Sequence, residues 1–222
     1  MNPSPRRKRK PSDAVLDAVH ADIERYYTAK VARYGATPLG VDWESAPAQE
    51  LRFVQLLKLC NFAAPVSLND IGCGWGALLG FLERRVPGKV DYLGVDLSAL
   101  MIDEARRTWA GHARAAFVVG GASPRSADYG IASGIFNVKL SQPVELWTAF
   151  VQAVLDDMHA TSRRGFAVNF LAPLENAMAG APELYRPAPE IWRGYCESKL
   201  GADVEVLANY GMREYTLLVR RR

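Results

Sequence analysis

The stretch Asn69-Asp70-Ile71-Gly72-Cys73-Gly74-Trp75-Gly76 is the part of this chain best suited to chemistry. It follows the apolar run Pro65-Val66-Ser67-Leu68 and opens into Ala77-Leu78-Leu79-Gly80-Phe81-Leu82. The order reads as a strand, a tight glycine turn and a helix. Glycines let the chain turn sharply and bring its backbone close to a nucleotide-like ligand. The acid two residues before Gly72 narrows the choice of ligand. A helix amino end already favours an anion, so a pyrophosphate would gain nothing from a carboxylate there, whereas an ammonium group would. Gly72-x-Gly74-x-x-Ala77, with Asp96 downstream, also satisfies the loose dinucleotide fingerprint. Two features weigh against that reading: the acid in the turn, and the lack of room in 222 residues for a catalytic domain beside a full dinucleotide domain.

Other polar residues fall where strands should end. Asp91-Tyr92-Leu93-Gly94-Val95-Asp96 closes on an acid, and a carboxylate offers two acceptor oxygens at a spacing that fits two neighbouring hydroxyls. The next strand gives Phe117-Val118-Val119-Gly120-Gly121-Ala122-Ser123, with no acid at its end. The fourth, Asp128-Tyr129-Gly130-Ile131-Ala132-Ser133, runs into Gly134-Ile135-Phe136-Asn137-Val138-Lys139, whose polar groups are Asn137 and Lys139. Asn169 and Tyr185 could reach a pocket mouth, although a buried asparagine is as readily explained by backbone partners. His20, His112 and His159 are scattered away from the expected strand ends, so no general base is expected among them.

The acid-x-Gly-x-Gly-x-Gly pattern at Asp70–Gly76 resembles that of class I S-adenosylmethionine (SAM) methyltransferases, and the resemblance runs from there onward. It implies a doubly wound α/β sheet of seven strands, mostly parallel with the last antiparallel, and SAM as cofactor with S-adenosylhomocysteine as product. By this resemblance Asp70, Gly72, Cys73, Gly74 and Ser133 would border the cofactor, Asp96 would hold its ribose, and Leu97 and Met101 would flank its adenine. Many family members read the adenine amino group with an acid after the third strand. Its absence here leaves that edge to backbone or Ser123. Arg52 is the natural bidentate partner for the methionine carboxylate. The segment after the fourth strand lies beside the transferred methyl in this fold, which makes Asn137 and Lys139, together with Tyr27, the acceptor-side candidates.

A bacterial subgroup of these enzymes shares Ser133–Leu140, the terminal Tyr210-Gly211-x-x-Glu214-Tyr215-Thr216-Leu217-Leu218-Val219-Arg220, and the aromatic segment Tyr26–Trp43 with Gln49, Arg52 and Phe53. The implied reaction is methyl transfer to an oxygen or nitrogen of a small metabolite or sugar. A nucleic-acid or protein methyltransferase, and a SAM-binding protein without methyl transfer, remain as alternatives.

These residues need elements to hold them. Helical spacing covers Asp13 to about Arg33 and Ala48 to Leu59, and these two helices are expected as a cap over the carboxyl edge of the sheet. Strands are expected near 66–71, 91–96, 115–119, 128–133 and 165–171, and helices near 75–85, 98–109 and 143–160. Ser98 is placed to cap the second of these helices, and Ser141 with Pro143 the third. Asp203–Asn209 and Arg213–Arg220 read as a closing hairpin. The expected division is a tail at 1–11, a cap at 12–62 and a SAM-binding domain at 63–222.

Hydrophobic residues at 49% and charged residues at 23% suit one soluble globular domain with a sizeable core. No apolar run approaches the ~20 residues of a membrane span. Three widely spaced cysteines suggest neither a disulfide framework nor a zinc site and fit a reducing cytoplasm. The net charge of +3 is misleading, because Arg6-Arg7-Lys8-Arg9-Lys10 outweighs a slightly acidic remainder. That tail lacks the apolar core of a signal peptide and is expected to be disordered and solvated. The acidic remainder favours a small-molecule partner over nucleic acid, and oligomeric state is left open.

Overall fold

A computed structural model describes residues 11–43, 45–174 and 180–222. The basic tail therefore lies, apart from Pro11, outside the described residues. The elements in chain order are α1 (Pro11–Tyr34), α2 (Ala46–Leu56), β1 (Val66–Ile71), α3 (Ala77–Arg85), β2 (Val90–Asp96), α4 (Ala99–Thr108) and β3 (Ala115–Val119). They continue with β4 (Ala127–Ala132), α5 (Val144–Thr161), β5 (Ser162–Leu171), α6 (Pro189–Ser198), β6 (Asp203–Leu207) and β7 (Glu214–Arg220). Among the described residues the strands form one seven-stranded sheet in the order β3-β2-β1-β4-β5-β7-β6. β7 slots between β5 and β6 and runs antiparallel to both, while β1 to β5 are parallel. The fold is the doubly wound α/β sheet the sequence implies.

Period-two burial sorts the strands between two faces. Phe166, Val168 and Phe170 of β5 and Tyr215, Leu217 and Val219 of β7 join a cluster with α5 and α6. Tyr129 and Ile131 of β4, with Val90 and Tyr92 of β2, join the opposite cluster with α3 and α4. α5 is built for its face, since Trp147, Phe150, Val151, Val154, Leu155 and Met158 recur every three or four residues and all are buried.

The residues before β1 divide between these layers. α2 starts at Ser45, whose Oγ accepts from Ala48 N at 3.3 Å. It sinks Phe53 and Leu56 into the α3–α4 face. α1 joins the other face. The β3–β4 link, residues 120–126, carries no helix. Val19 and Ile23 of α1 are buried instead in the cluster that holds Ile71, Leu93 and Val95 of the sheet and Phe150 and Val154 of α5.

Two local expectations are corrected. α5 is entered through Pro143, with no side-chain cap, because Trp147 N donates to Pro143 O at 3.0 Å and Ser141 plays no part. α6 was not among the expected helices. Its signals are Pro189 in the first turn and the buried pair Trp192 and Cys196, four residues apart. No helix among the described residues is long and apolar enough to cross a membrane.

Candidate active site

Parallel pairing aligns the carboxyl ends of the central strands, with Ile71 opposite Val95 and also opposite Ala132. A cleft of about 990 Å³, counted out to its mouth, opens over these ends. The turn after β1 is pinned to β2, because Gly72 N and Cys73 N both donate to Val95 O, at 2.8 and 3.1 Å. Gly72 has φ +73°, and a Cβ there would lie 2.2 Å from Ile135 Cγ2, so the turn requires glycine.

Asp70 ends in the cleft at 3% exposure. It accepts from Tyr92 Oη at 2.5 Å. Burial is the largest influence on its carboxyl and pushes the pKa up to about 7, against the lowering effect of that hydrogen bond. Asp96 accepts from Gly74 N and Ser98 N, each at 2.9 Å, which fixes its carboxylate at the cleft wall. Burial raises its pKa as well. Cys73 fills the space left by Gly94, where a Cβ would lie 2.7 Å from its Sγ, and burial holds its thiol well up. Among the described residues neither Asp70 nor Asp96 has a cationic partner.

Nine of the expected residues line the same cleft: Tyr27, Asp70, Gly72, Cys73, Gly74, Asp96, Leu97, Met101 and Ser133. Ser133 Oγ is buried, with no hydrogen-bond partner among the described residues. The Tyr27 phenol is held neutral, its pKa raised chiefly by burial and further by Asp42, Tyr26 and Asp96.

Three expected residues are placed elsewhere. Arg52 is 6% exposed and grips Glu214 through Nε (3.0 and 2.9 Å) and Nη2, while Nη1 donates to Ala48 O at 2.8 Å. Its guanidinium is committed within the protein, so the expected contact with a ligand carboxylate gives way to this pairing. Asn137 accepts from Leu171 N at 3.1 Å, and its carbonyl accepts from Tyr185 N at 2.9 Å. Lys139 turns to the carbonyls of Leu140 and Gln142, at 3.4 and 3.2 Å. Both stitch the segment after β4 to residues 183–185, and neither lines the cleft.

The cleft also has walls the sequence did not single out. His20, Ile23 and Glu24 join the expected Tyr27 on one face of α1, at i, i+3, i+4 and i+7 spacing. α1 is tied down where Thr28 Oγ1 meets Ser98 Oγ at 2.6 Å. The His20 ring packs against Gly121, where a Cβ would approach it to 2.8 Å, and burial keeps its pKa low. Trp43, set against Gly134, and Gln49 complete the lining.

A sequence model of the methyltransferase domain matches residues 69–165. Rv1506c of Mycobacterium tuberculosis, which carries a methyltransferase name, is 40% identical over 165 residues, or 74% of this chain and 99% of that one. An O-methyltransferase family protein from Burkholderia thailandensis superposes with a TM-score of 0.56 at 15% identity. That match takes in 95% of this chain and 59% of the Burkholderia protein, so the chain spans about three fifths of its length. A SAM-dependent methyltransferase from Mesorhizobium loti gives a TM-score of 0.58 at 14% identity, over 77% of this chain and 98% of that one. At those identities the likeness to the two solved structures is one of fold.

Proposed function

The chain belongs to the class I SAM-dependent methyltransferases, and from that premise we propose that its cleft holds SAM and that it methylates an oxygen or nitrogen of a small metabolite or sugar. The observation that carries this reading is the pair of carboxylates on adjacent strand ends, Asp70 buried and Asp96 half-buried, without a cation beside either among the described residues. Burying a carboxylate without a partner is costly, and a ligand bearing an ammonium group and a ribose diol answers both acids at once.

The cleft fits such a ligand on its own terms. Asp70 would meet the ammonium and Asp96 the diol. Leu97 and Met101 would pack on the purine, and His20 would present its neutral imidazole to the purine edge in place of the acid missing after β3. Ser133 Oγ, buried and with no hydrogen-bond partner among the described residues, is free to meet the amino-acid end. When bound, SAM supplies a methyl group made electrophilic by its positively charged sulfur. Tyr27, held neutral, would orient the acceptor by hydrogen bonding and not by removing its proton. Orientation alone supplies roughly 7–11 kcal/mol in well-aligned reactions, so a site without a strong base is adequate for displacement at a methyl group. The small-molecule reading is supported by α1 bounding the cleft, and the free cysteines Cys60, Cys73 and Cys196 suit a reducing cytoplasm.

Calorimetric titration with SAM, S-adenosylhomocysteine and NAD tests the ligand. Heat from the first two and none from NAD is the expected result; heat from NAD alone overturns the reading. Labelled SAM incubated with metabolite pools then tests the acceptor class.

A further inference from the structure

A closed ring of contacts runs beside the cleft. Gly134 N donates to Asn169 Oδ1 at 2.7 Å, and Asn169 Nδ2 donates to Glu214 Oε2 at 2.8 Å. Glu214 is gripped by Arg52, whose guanidinium lies 3.7 Å from the centre of the Trp43 ring. Trp43 closes the circuit on Gly134, where a Cβ would lie 2.2 Å from Cζ2 and 2.4 Å from Cη2. Gly134 has φ +78°, so both conformation and space require a glycine there.

The ring joins α2, β5, β7 and the segments around Trp43 and Gly134. Its polar members are sealed, with Arg52 at 6%, Glu214 at 3% and Asn169 at 0% exposure. A buried ion pair seldom adds net stability, so its use is better sought in what it fixes. Only Trp43 and Gly134 of the ring line the cleft.

Their place in the cleft gives the contact a meaning, on the reading of the cleft as a SAM site. Asp96 and Asp70 would anchor the ribose and the ammonium, the groups on either side of the ligand's sulfur. The lining beyond them, on the next strand end, is Ser133–Ile135 with Trp43 against it. On that reading the third substituent on sulfur would face this wall. We propose that Trp43 sets the size of the group the cleft accepts on that sulfur, and that Arg52, Glu214 and Asn169 are positioning residues that hold its ring against Gly134.

The test is a set of binding titrations with S-adenosylhomocysteine, SAM and S-adenosylethionine, which carries an ethyl group in place of methyl. One extra methylene against a packed apolar wall costs about 10–200-fold, so the wild type should bind the ethyl compound at least about tenfold more weakly than SAM. Trp43→Ala should bring the two within about threefold of each other, whatever change all three ligands share, and Trp43→Phe should fall between. Arg52→Lys keeps the charge but not the planar stack, so it should also narrow the gap. An unchanged SAM-to-ethyl ratio in Trp43→Ala overturns the proposal. Equal weakening of all three ligands in Arg52→Lys would reduce Arg52 to a structural pair, and Trp43→Ala carries the test if that variant does not fold. If the wild type binds none of the three, the SAM reading itself fails, an outcome distinct from an unchanged ratio.

Discussion

Tyr92 donates its hydroxyl to Asp70 across 2.5 Å, and both side chains are buried. The register sets Asp70 opposite Gly94 and Tyr92 opposite Leu68, so the phenol reaches two residues along to the acid. A neutral hydroxyl cannot make up for the water that Asp70 has lost, and the carboxyl keeps its proton up to about 7. Asp70 thus holds a proton at the point where the proposed ligand brings an ammonium.

That proton has two consequences. An unfolded Asp titrates near ~3.9, so the stabilisation from Asp70's retained proton is complete below about pH 4 and lost as pH rises to about 7. Asp70→Asn should therefore melt at a higher temperature than the wild type at about pH 8 and show a smaller advantage at about pH 5. Affinity for S-adenosylhomocysteine should rise in the wild type between about pH 6 and pH 8, as Asp70 ionises, and stay weak and flat in Asp70→Asn. Burial lowers the pKa of His20, the opposite direction to that of Asp70. A wild type more stable than Asp70→Asn at the higher pH would defeat the argument.

Asp96 should matter through its free lone pairs, since each oxygen already accepts one backbone N–H. Asp96→Asn keeps the shape but offers the diol one acceptor fewer. Hydrogen bonds to a charged group contribute about 1.5–3 kcal/mol, so S-adenosylhomocysteine should bind roughly 10- to 150-fold more weakly. Calorimetry on the folded variant measures this, and unchanged affinity removes Asp96 from the ligand.

Much of this was legible from local sequence. Asp70, the glycines and Asp96 are recognisable because strand, turn and helix follow one another within some thirty residues. What stayed hidden depends on partners far apart in the chain. Arg52 looks like a free cation until Glu214, 162 residues away, is folded against it. Asn137 looks like an acceptor-side amide until Leu171 N and Tyr185 N claim its oxygens. His20 lies in a helix with no local sign that it faces Gly121, a contact made possible by a β3–β4 link without a helix.

His20 should discriminate between purines. The acceptor nitrogen of a neutral imidazole can accept a hydrogen bond from the adenine amino group, but it meets the carbonyl of a hypoxanthine lone pair to lone pair unless the ring turns its N–H there. The wild type should prefer S-adenosylhomocysteine to S-inosylhomocysteine by about tenfold or more, the scale of one lost hydrogen bond with a buried group left unpaired. His20→Ala should lose most of that preference while binding both. A preference that survives in His20→Ala gives the adenine edge to backbone around Gly120–Ser123.

α1 poses the last question, whether it is a detachable lid or part of the core. Val19 is 0% and Ile23 9% exposed, and both belong to the buried cluster that includes Ile71, Leu93 and Val95. His20 meets Phe150 of α5 edge to face at 5.6 Å, and Thr28 ties the helix to Ser98. A lid would make few apolar contacts of this kind. Ile23→Ala should therefore cost about 2–5 kcal/mol of folding stability, read as a lower denaturation midpoint with an unchanged slope. Because Ile23 also lines the cleft, S-adenosylhomocysteine affinity should fall with it. If Ile23→Ala loses affinity but keeps the wild-type midpoint, α1 is a cover laid over a finished fold. A lower midpoint makes it the helix that the β3–β4 link does not provide.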